Sequence, residues 1–66
     1  MNLVIKTPLR IELEALPEEV EDLDSPSFTR SYAAALTGAG LRSDEWSDIA
    51  VDRVDGKPPR IIARRS

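Results

Sequence analysis

The chain has 66 residues, contains neither cysteine nor histidine, and carries a formal net charge of −3. A chain this short forms one domain at most and buries about 60% of the surface that its unfolded form exposes. The lack of both residue types excludes disulfide bonds, catalysis by histidine or cysteine, and most transition-metal sites. The negative net charge argues weakly against a nucleic-acid partner.

Residues 2 to 14 alternate between apolar and polar side chains, which is typical of a half-buried β-strand. Pro8 interrupts the segment, and proline cannot donate a hydrogen bond to a strand ladder. The segment is therefore either one long edge strand kinked at Thr7-Pro8 or a hairpin of two short strands. The unbroken parity across Pro8 slightly favours the single strand, with one buried face made of Leu3, Ile5, Leu9, Ile11 and Leu13.

Residues 15 to 24 form an acidic connector. From Glu12 to Asp24 the chain has seven acids and no base. Such a segment is usually a solvated connector, here with Leu16, Val20 and Leu23 as apolar anchors, although some like-charge segments are interaction surfaces. The functional interpretation is an acidic face for a basic partner, which we call the acidic set: Glu14, Glu18, Glu19, Glu21, Asp22 and Asp24.

The sequence predicts one full-length helix over residues 26 to 38. Ser25 is a good N-cap residue, and Pro26 suits the first helical position. Apolar side chains at Phe28, Tyr32 and Leu36 then recur at the spacing of one helical stripe. Gly38 and Gly40 are suited to ending the helix.

The last third of the chain predicts a hairpin over residues 49 to 64. Ser43 begins a single helical turn, and Trp46, the only tryptophan, is expected in the core. Asp55-Gly56 is a strong hairpin signal. A three-residue loop sets Asp52 opposite Arg60 and Asp48 opposite Arg64, which opposite charges favour. Pro58 and Pro59 indicate that the last strand is an edge, at least where it begins.

These elements predict a single small α+β domain spanning residues 1 to 66. Its expected architecture is a three- to four-stranded, mostly antiparallel sheet with one central helix packed on one face, because that arrangement buries each apolar stripe.

No motif specific to a chemistry is present. Gly38-Ala39-Gly40 follows a helix, whereas a phosphate-binding G-x-G joins a strand to one. The spaced aspartates lack the order of a calcium loop. Paired carboxylates need a cleft that raises one pKa, and a chain this short has little interior to build it. We therefore expect a non-enzymatic protein without cofactor or metal.

Two functional interpretations remain. The first is a small cytoplasmic accessory or regulatory module that binds a protein through the acidic set and uses an exposed strand edge, within residues 2 to 14 or 60 to 64, to dimerise. The cytoplasmic assignment follows from the lack of a visible secretory signal or membrane span. The alternative is a nucleic-acid-binding regulator that uses the basic C-terminal hairpin, through Arg53, Lys57, Arg60, Arg64 and Arg65.

Overall fold

The computed structural model describes residues 1–65 and shows an α+β fold, a four-stranded antiparallel sheet with one α-helix. The spatial order of the strands is β1-β2-β4-β3, so that β2 and β4 are central and β1 and β3 are the edges. The strands are β1 Asn2–Lys6, β2 Arg10–Glu14, β3 Trp46–Asp52 and β4 Arg60–Arg65, and the helix is α1 Pro26–Gly38.

The N-terminal segment is a hairpin, so the preference for one continuous strand was wrong. The Thr7 N–H donates to the Arg10 carbonyl at 2.8 Å, and the Thr7 hydroxyl both donates to that carbonyl and accepts from the Arg10 N–H. These bonds close a tight turn around Pro8, which has no N–H to lose. Apolar residues occupy odd-numbered positions both before and after the turn, so the alternation alone could not show that the chain reverses direction there.

A β-bulge in β1 and the turn that follows this strand separate two apolar residues from the predicted buried face. The register shifts between Leu3, which lies opposite Leu13, and Ile5, which lies opposite Glu12. Ile5 therefore lies on the face of the sheet that the helix does not cover and is 39% exposed. Leu9 lies in the turn and is 75% exposed. A bulge adds one residue to a strand, so every following side chain changes face.

The predicted helix is confirmed. The Ser25 hydroxyl accepts a hydrogen bond from the Phe28 N–H at 3.1 Å, and Pro26 occupies the first turn. Phe28, Tyr32 and Leu36 are the buried residues of α1. After the helix, Gly40 adopts a φ of 78°, which lets the Leu41 N–H return to the Leu36 carbonyl at 2.8 Å.

The core lies between α1 and one face of the sheet. The sheet, the acidic connector and the helix each contribute buried side chains, and Trp46 is among them as predicted. Of the three expected anchors in the connector, only Val20 is buried; Leu16 and Leu23 are 57% and 38% exposed. The buried apolar residues are Ile11, Leu13, Ala15, Val20, Phe28, Tyr32, Leu36, Trp46, Ile61 and Ala63.

The C-terminal hairpin has the predicted register. Asp52 lies opposite Arg60, Val51 opposite Ile61, and Asp48 opposite Arg64. The hairpin begins earlier than predicted, because β3 starts at Trp46. The turn before it is a 3-10 helix of only three residues, Ser43–Glu45.

The expectation that the last strand is an edge was wrong. β4 pairs with β2 on one side and with β3 on the other along its whole length. Pro58 and Pro59 precede the strand, so their missing N–H groups interrupt neither ladder. The Pro59 carbonyl even extends the pairing, since it accepts from the Ala15 N–H at 3.0 Å.

Candidate functional site

The acidic set lies at one end of the sheet, beside the start of α1. Glu14 ends β2, Glu18 and Glu19 lie in a 3-10 helix over Pro17–Val20, and the remaining acids lead into the helix. Carboxylates at this position interact favourably with the N-terminal end of the helix dipole. The structure therefore brings the predicted residues to one region, but it gives them different local roles.

Glu19 supports the fold of the connector. Its Oε1 accepts from the Leu16 N–H at 2.9 Å, and its Oε2 lies 3.2 Å from the amino nitrogen of Met1. The bond from the Leu16 N–H is the main cause that lowers the pKa of Glu19; partial burial opposes it, and the Met1 amino group adds to the lowering. A carboxylate held in this way is a structural group.

Replacing Glu19 with alanine is expected to lower the free energy of unfolding by about 1–2 kcal/mol, because the Leu16 N–H loses its acceptor. The contribution is fully present above the ordinary pKa of 4.5 and is lost as the pH falls through the lowered folded-state value. Urea unfolding at pH 7 and at pH 3 measures both effects. Glu18→Ala, at an exposed neighbouring acid, is the matched control and should change stability little.

Asp22 also has a local structural role. Its Oδ1 accepts from the Asp24 N–H at 3.0 Å, and its carbonyl accepts from the Ser25 hydroxyl at 2.9 Å. These bonds form the turn that presents Ser25 as the helix cap. Glu14, at the end of β2, lies 3.8 Å from the Arg60 guanidinium and is partly neutralised by it.

The remaining three acids are free of intramolecular partners. No hydrogen bond or ion pair within residues 1–65 uses the carboxylates of Glu18, Glu21 or Asp24, and all three residues are exposed. Glu18 and Glu21 border an open groove of about 380 Å³ between the connector and the first turns of α1. Its lining combines carboxylates, hydroxyls and one aromatic ring: Glu18, Glu19, Glu21, Asp22, Ser25, Ser27, Phe28 and Ser31.

The five predicted basic residues do not form one surface. Arg60 and Arg65 lie at opposite ends of β4, about 16 Å apart by the rise of a strand. Arg60 donates to Glu12 Oε1 at 3.2 Å. Arg53 lies beyond β3, on the connector between β3 and β4, where it donates to the Val20 carbonyl at 2.8 Å. Two of the five are thus used to hold the acidic end of the molecule together.

The other three basic residues also differ from one another. Arg65 donates to Glu45 Oε2 at 3.0 Å and lies over the Trp46 ring, 5.7 Å from its centroid. Arg64 lies opposite Arg10 in the sheet, and Lys57 is exposed in the β3–β4 connection. Of these five basic residues, only Arg64 and Lys57 have side chains that bond nothing else in the part of the chain that the structure describes.

The strand edges are not those that the sequence indicated. Residues 60 to 64 are central and cannot accept a further strand, whereas residues 2 to 6 of the N-terminal segment remain an edge. The second edge is β3, Trp46–Asp52, which sequence reasoning did not select. No local signal marked it as an edge, since the strand contains neither proline nor lysine, the residues that commonly protect edges.

Residues 1–65 offer neither a metal centre nor a membrane-spanning helix. No group of three or more carboxylates is arranged to hold a metal ion within that range. Nor does any of its helices have the length and unbroken apolar character that crossing a bilayer requires. The chain matches no family model, no curated protein and no solved structure.

Proposed function

We propose that this chain is a small non-enzymatic protein-binding module, acting in the cytoplasm as an accessory or regulatory subunit, that contacts a basic partner through the acidic set. The observation that supports the proposal is the group of three exposed carboxylates without intramolecular partners, Glu18, Glu21 and Asp24. Exposed charges of one sign steer an oppositely charged partner and raise its association rate. The open groove beside them supplies hydroxyls and the Phe28 ring for shorter-range contacts.

The structure also indicates which members of the acidic set should be substituted to test partner binding. Glu19 and Asp22 hold the connector in shape, and Glu14 is paired with Arg60. Altering them would confuse loss of binding with loss of structure. The informative variant is Glu18→Gln with Glu21→Gln and Asp24→Asn, which removes three charges from exposed positions and leaves each turn intact.

The test compares proteins captured from native lysate by the tagged wild type and by this triple variant. We expect a stoichiometric partner that the wild type captures and the variant loses. The matched control raises the net charge equally at exposed positions elsewhere, through Leu9→Lys, Ala34→Lys and Thr37→Lys. Capture that the triple variant retains, or that the control loses to the same extent, would contradict the proposal.

The same capture, repeated from nuclease-treated lysate, addresses nucleic acid as the alternative partner. If nuclease treatment abolished recovery, the basic residues would become the candidate surface, and affinity would fall steeply with salt as counterions are released. The geometry offers this alternative less support, because Arg53, Arg60 and Arg65 already bond groups within the protein.

A further inference from the structure

We propose that the free edge of β3 accepts an extended segment of a partner protein in which basic and apolar residues alternate, and that this segment pairs antiparallel to β3 as a fifth strand. The inference rests on the proposed function and deepens it. It states which strand would bind a segment of the basic partner and what sequence pattern that segment would have.

The hydrogen-bonding direction of β3 follows from the neighbouring strands. The Ala15 N–H donates to the Pro59 carbonyl and the Arg65 N–H to the Leu9 carbonyl, so β4 turns the backbone groups of its odd-numbered residues toward β2. Because these directions alternate along a strand, even-numbered residues of β4 face β3. Their partners Asp48, Ala50 and Asp52 therefore face β4.

The intervening residues of β3 consequently point their backbone groups outward. The N–H and C=O groups of Ile49 and Val51 have no hydrogen-bond partner within residues 1–65. Two outward residues spaced by two positions form the repeat to which a regular antiparallel strand adds. From Asp48 to Asp52 the register is regular, without bulge, proline or lysine.

The other edge lacks this repeat. In β1 the residues that face β2 are Asn2 and Ile5, followed by Thr7, so the outward residues are Leu3 and Lys6. The bulge sets these two outward positions three residues apart, which a regular strand cannot match, and Lys6 adds a charge at the edge. Of the two edges, β3 is the one shaped to receive a strand.

The side chains of β3 specify the partner. Asp48 and Asp52 lie on the open face of the sheet and are exposed, while Ile49 and Val51 lie on the helix side and are only half-buried. A positively charged partner residue opposite either aspartate would stabilise the pairing, and so would an apolar partner residue opposite Ile49 or Val51. A second copy of β3 would instead bring four aspartates together.

β4 shows what such a partner looks like. It places Arg60 and Arg64 opposite Asp52 and Asp48, with Ile61 and Ala63 opposite Val51 and Ile49. The outer edge of β3 presents the same four side chains at the same spacing. A segment with the pattern basic–apolar–any–apolar–basic would therefore place, on the outside of β3, the same kinds of residue opposite the same positions that β4 places on the inside.

The test titrates the isotope-labelled full chain with an end-blocked peptide that has the sequence of residues 60–65, Arg-Ile-Ile-Ala-Arg-Arg. We expect the amide resonances of Ile49 and Val51 to shift most. The scrambled peptide Arg-Arg-Arg-Ile-Ile-Ala has the same charge and should bind about two- to thirtyfold more weakly, because its arginines no longer face the two aspartates. Asp48→Asn with Asp52→Asn should reduce the affinity for the first peptide by a similar factor.

A backbone variant separates strand addition from simple charge attraction. Val51→Pro removes an outward N–H and leaves the β3–β4 ladder intact, so it should abolish peptide binding. Lys6→Pro removes an outward N–H from the other edge and is the matched control, which should bind the peptide normally. Should Val51→Pro fail to fold, the scrambled peptide still decides the question, because simple charge attraction would bind the two equally charged peptides alike.

Three outcomes would overturn the inference. They are equal affinity for the two peptides, shifts confined to Glu18, Glu21 and Asp24, and no binding at the highest soluble peptide concentration. The second of these would support the acidic set while removing β3 as the site. Conversely, peptide-induced shifts at β3 that survive Glu18→Gln, Glu21→Gln and Asp24→Asn would show that the strand edge binds without the acidic set, whose own role the capture experiment decides.

Discussion

Leu36→Ala is expected to remove a large share of the free energy of unfolding of this protein. Leu36 is fully buried between α1 and the sheet. Truncation of a buried leucine costs about 2–5 kcal/mol, because the side chain loses its transfer free energy and leaves a cavity. A chain of this length has a free energy of unfolding of only about 3–10 kcal/mol. Urea unfolding followed by circular dichroism measures the loss.

The matched control for this variant is Leu9→Ala. The same chemical change is made at a side chain that is 75% exposed in the β1–β2 turn. The expected change is within about 0.5 kcal/mol, as for most surface substitutions. Equal losses in the two variants would show that α1 does not pack on the sheet through Leu36.

Tyr32→Phe is expected to lower the free energy of unfolding by about 1–3 kcal/mol. The buried Tyr32 hydroxyl donates to the Trp46 carbonyl, and it ties the middle of α1 to the first residue of β3. Removing the donor leaves a buried carbonyl without a partner, which costs its desolvation. The ring remains and keeps its stacking against Phe28, with centroids 5.9 Å apart.

Thermal or urea unfolding of Tyr32→Phe, with Trp46 fluorescence as the probe, tests this hydrogen bond. Ser31→Ala is the control, since it removes an exposed hydroxyl from the neighbouring position of the same helix. A loss no larger than that of Ser31→Ala would contradict the assigned role of the hydroxyl.

The same hydroxyl predicts how stability depends on alkaline pH. Burial raises the pKa of Tyr32 from 10.0 to about 12. Its contribution is therefore fully present below pH 10 and is lost as the pH rises through about 12. Because Tyr32 is the only tyrosine, the phenolate absorbance reports on it alone. The stability difference between the wild type and Tyr32→Phe should narrow above pH 10; a constant difference would contradict the prediction.

Local sequence patterns predicted the structure correctly where neighbouring residues determine the geometry. Ser25-Pro26 and the stripe through Phe28, Tyr32 and Leu36 define the helix, because a cap and a period of 3.6 are properties of neighbouring residues. The register of the last hairpin was likewise predicted correctly by placing opposite charges across from each other, although residues 53–59 join the strands instead of a three-residue loop.

The N-terminal segment shows where such patterns fail. Apolar and polar side chains alternate with a period of two both in one strand and in two strands joined by a turn. Pro8 was therefore compatible with a kinked strand and with a reversal of the chain. The bulge near Val4 then moved Ile5 to the open face, and no local signal marked it. Which of Leu16, Val20 and Leu23 would be buried likewise depended on the position of α1, and only Val20 lies in the core.

The sequence by itself determined the α+β composition, the helix, the final hairpin register and the position of the acidic residues along the chain. Only the tertiary structure decided that β4 is central and β3 is free, because strand order depends on contacts between residues far apart in the chain. It also separated structural carboxylates such as Glu19 from free ones such as Glu21, since a charge acquires its role from the groups that folding brings beside it.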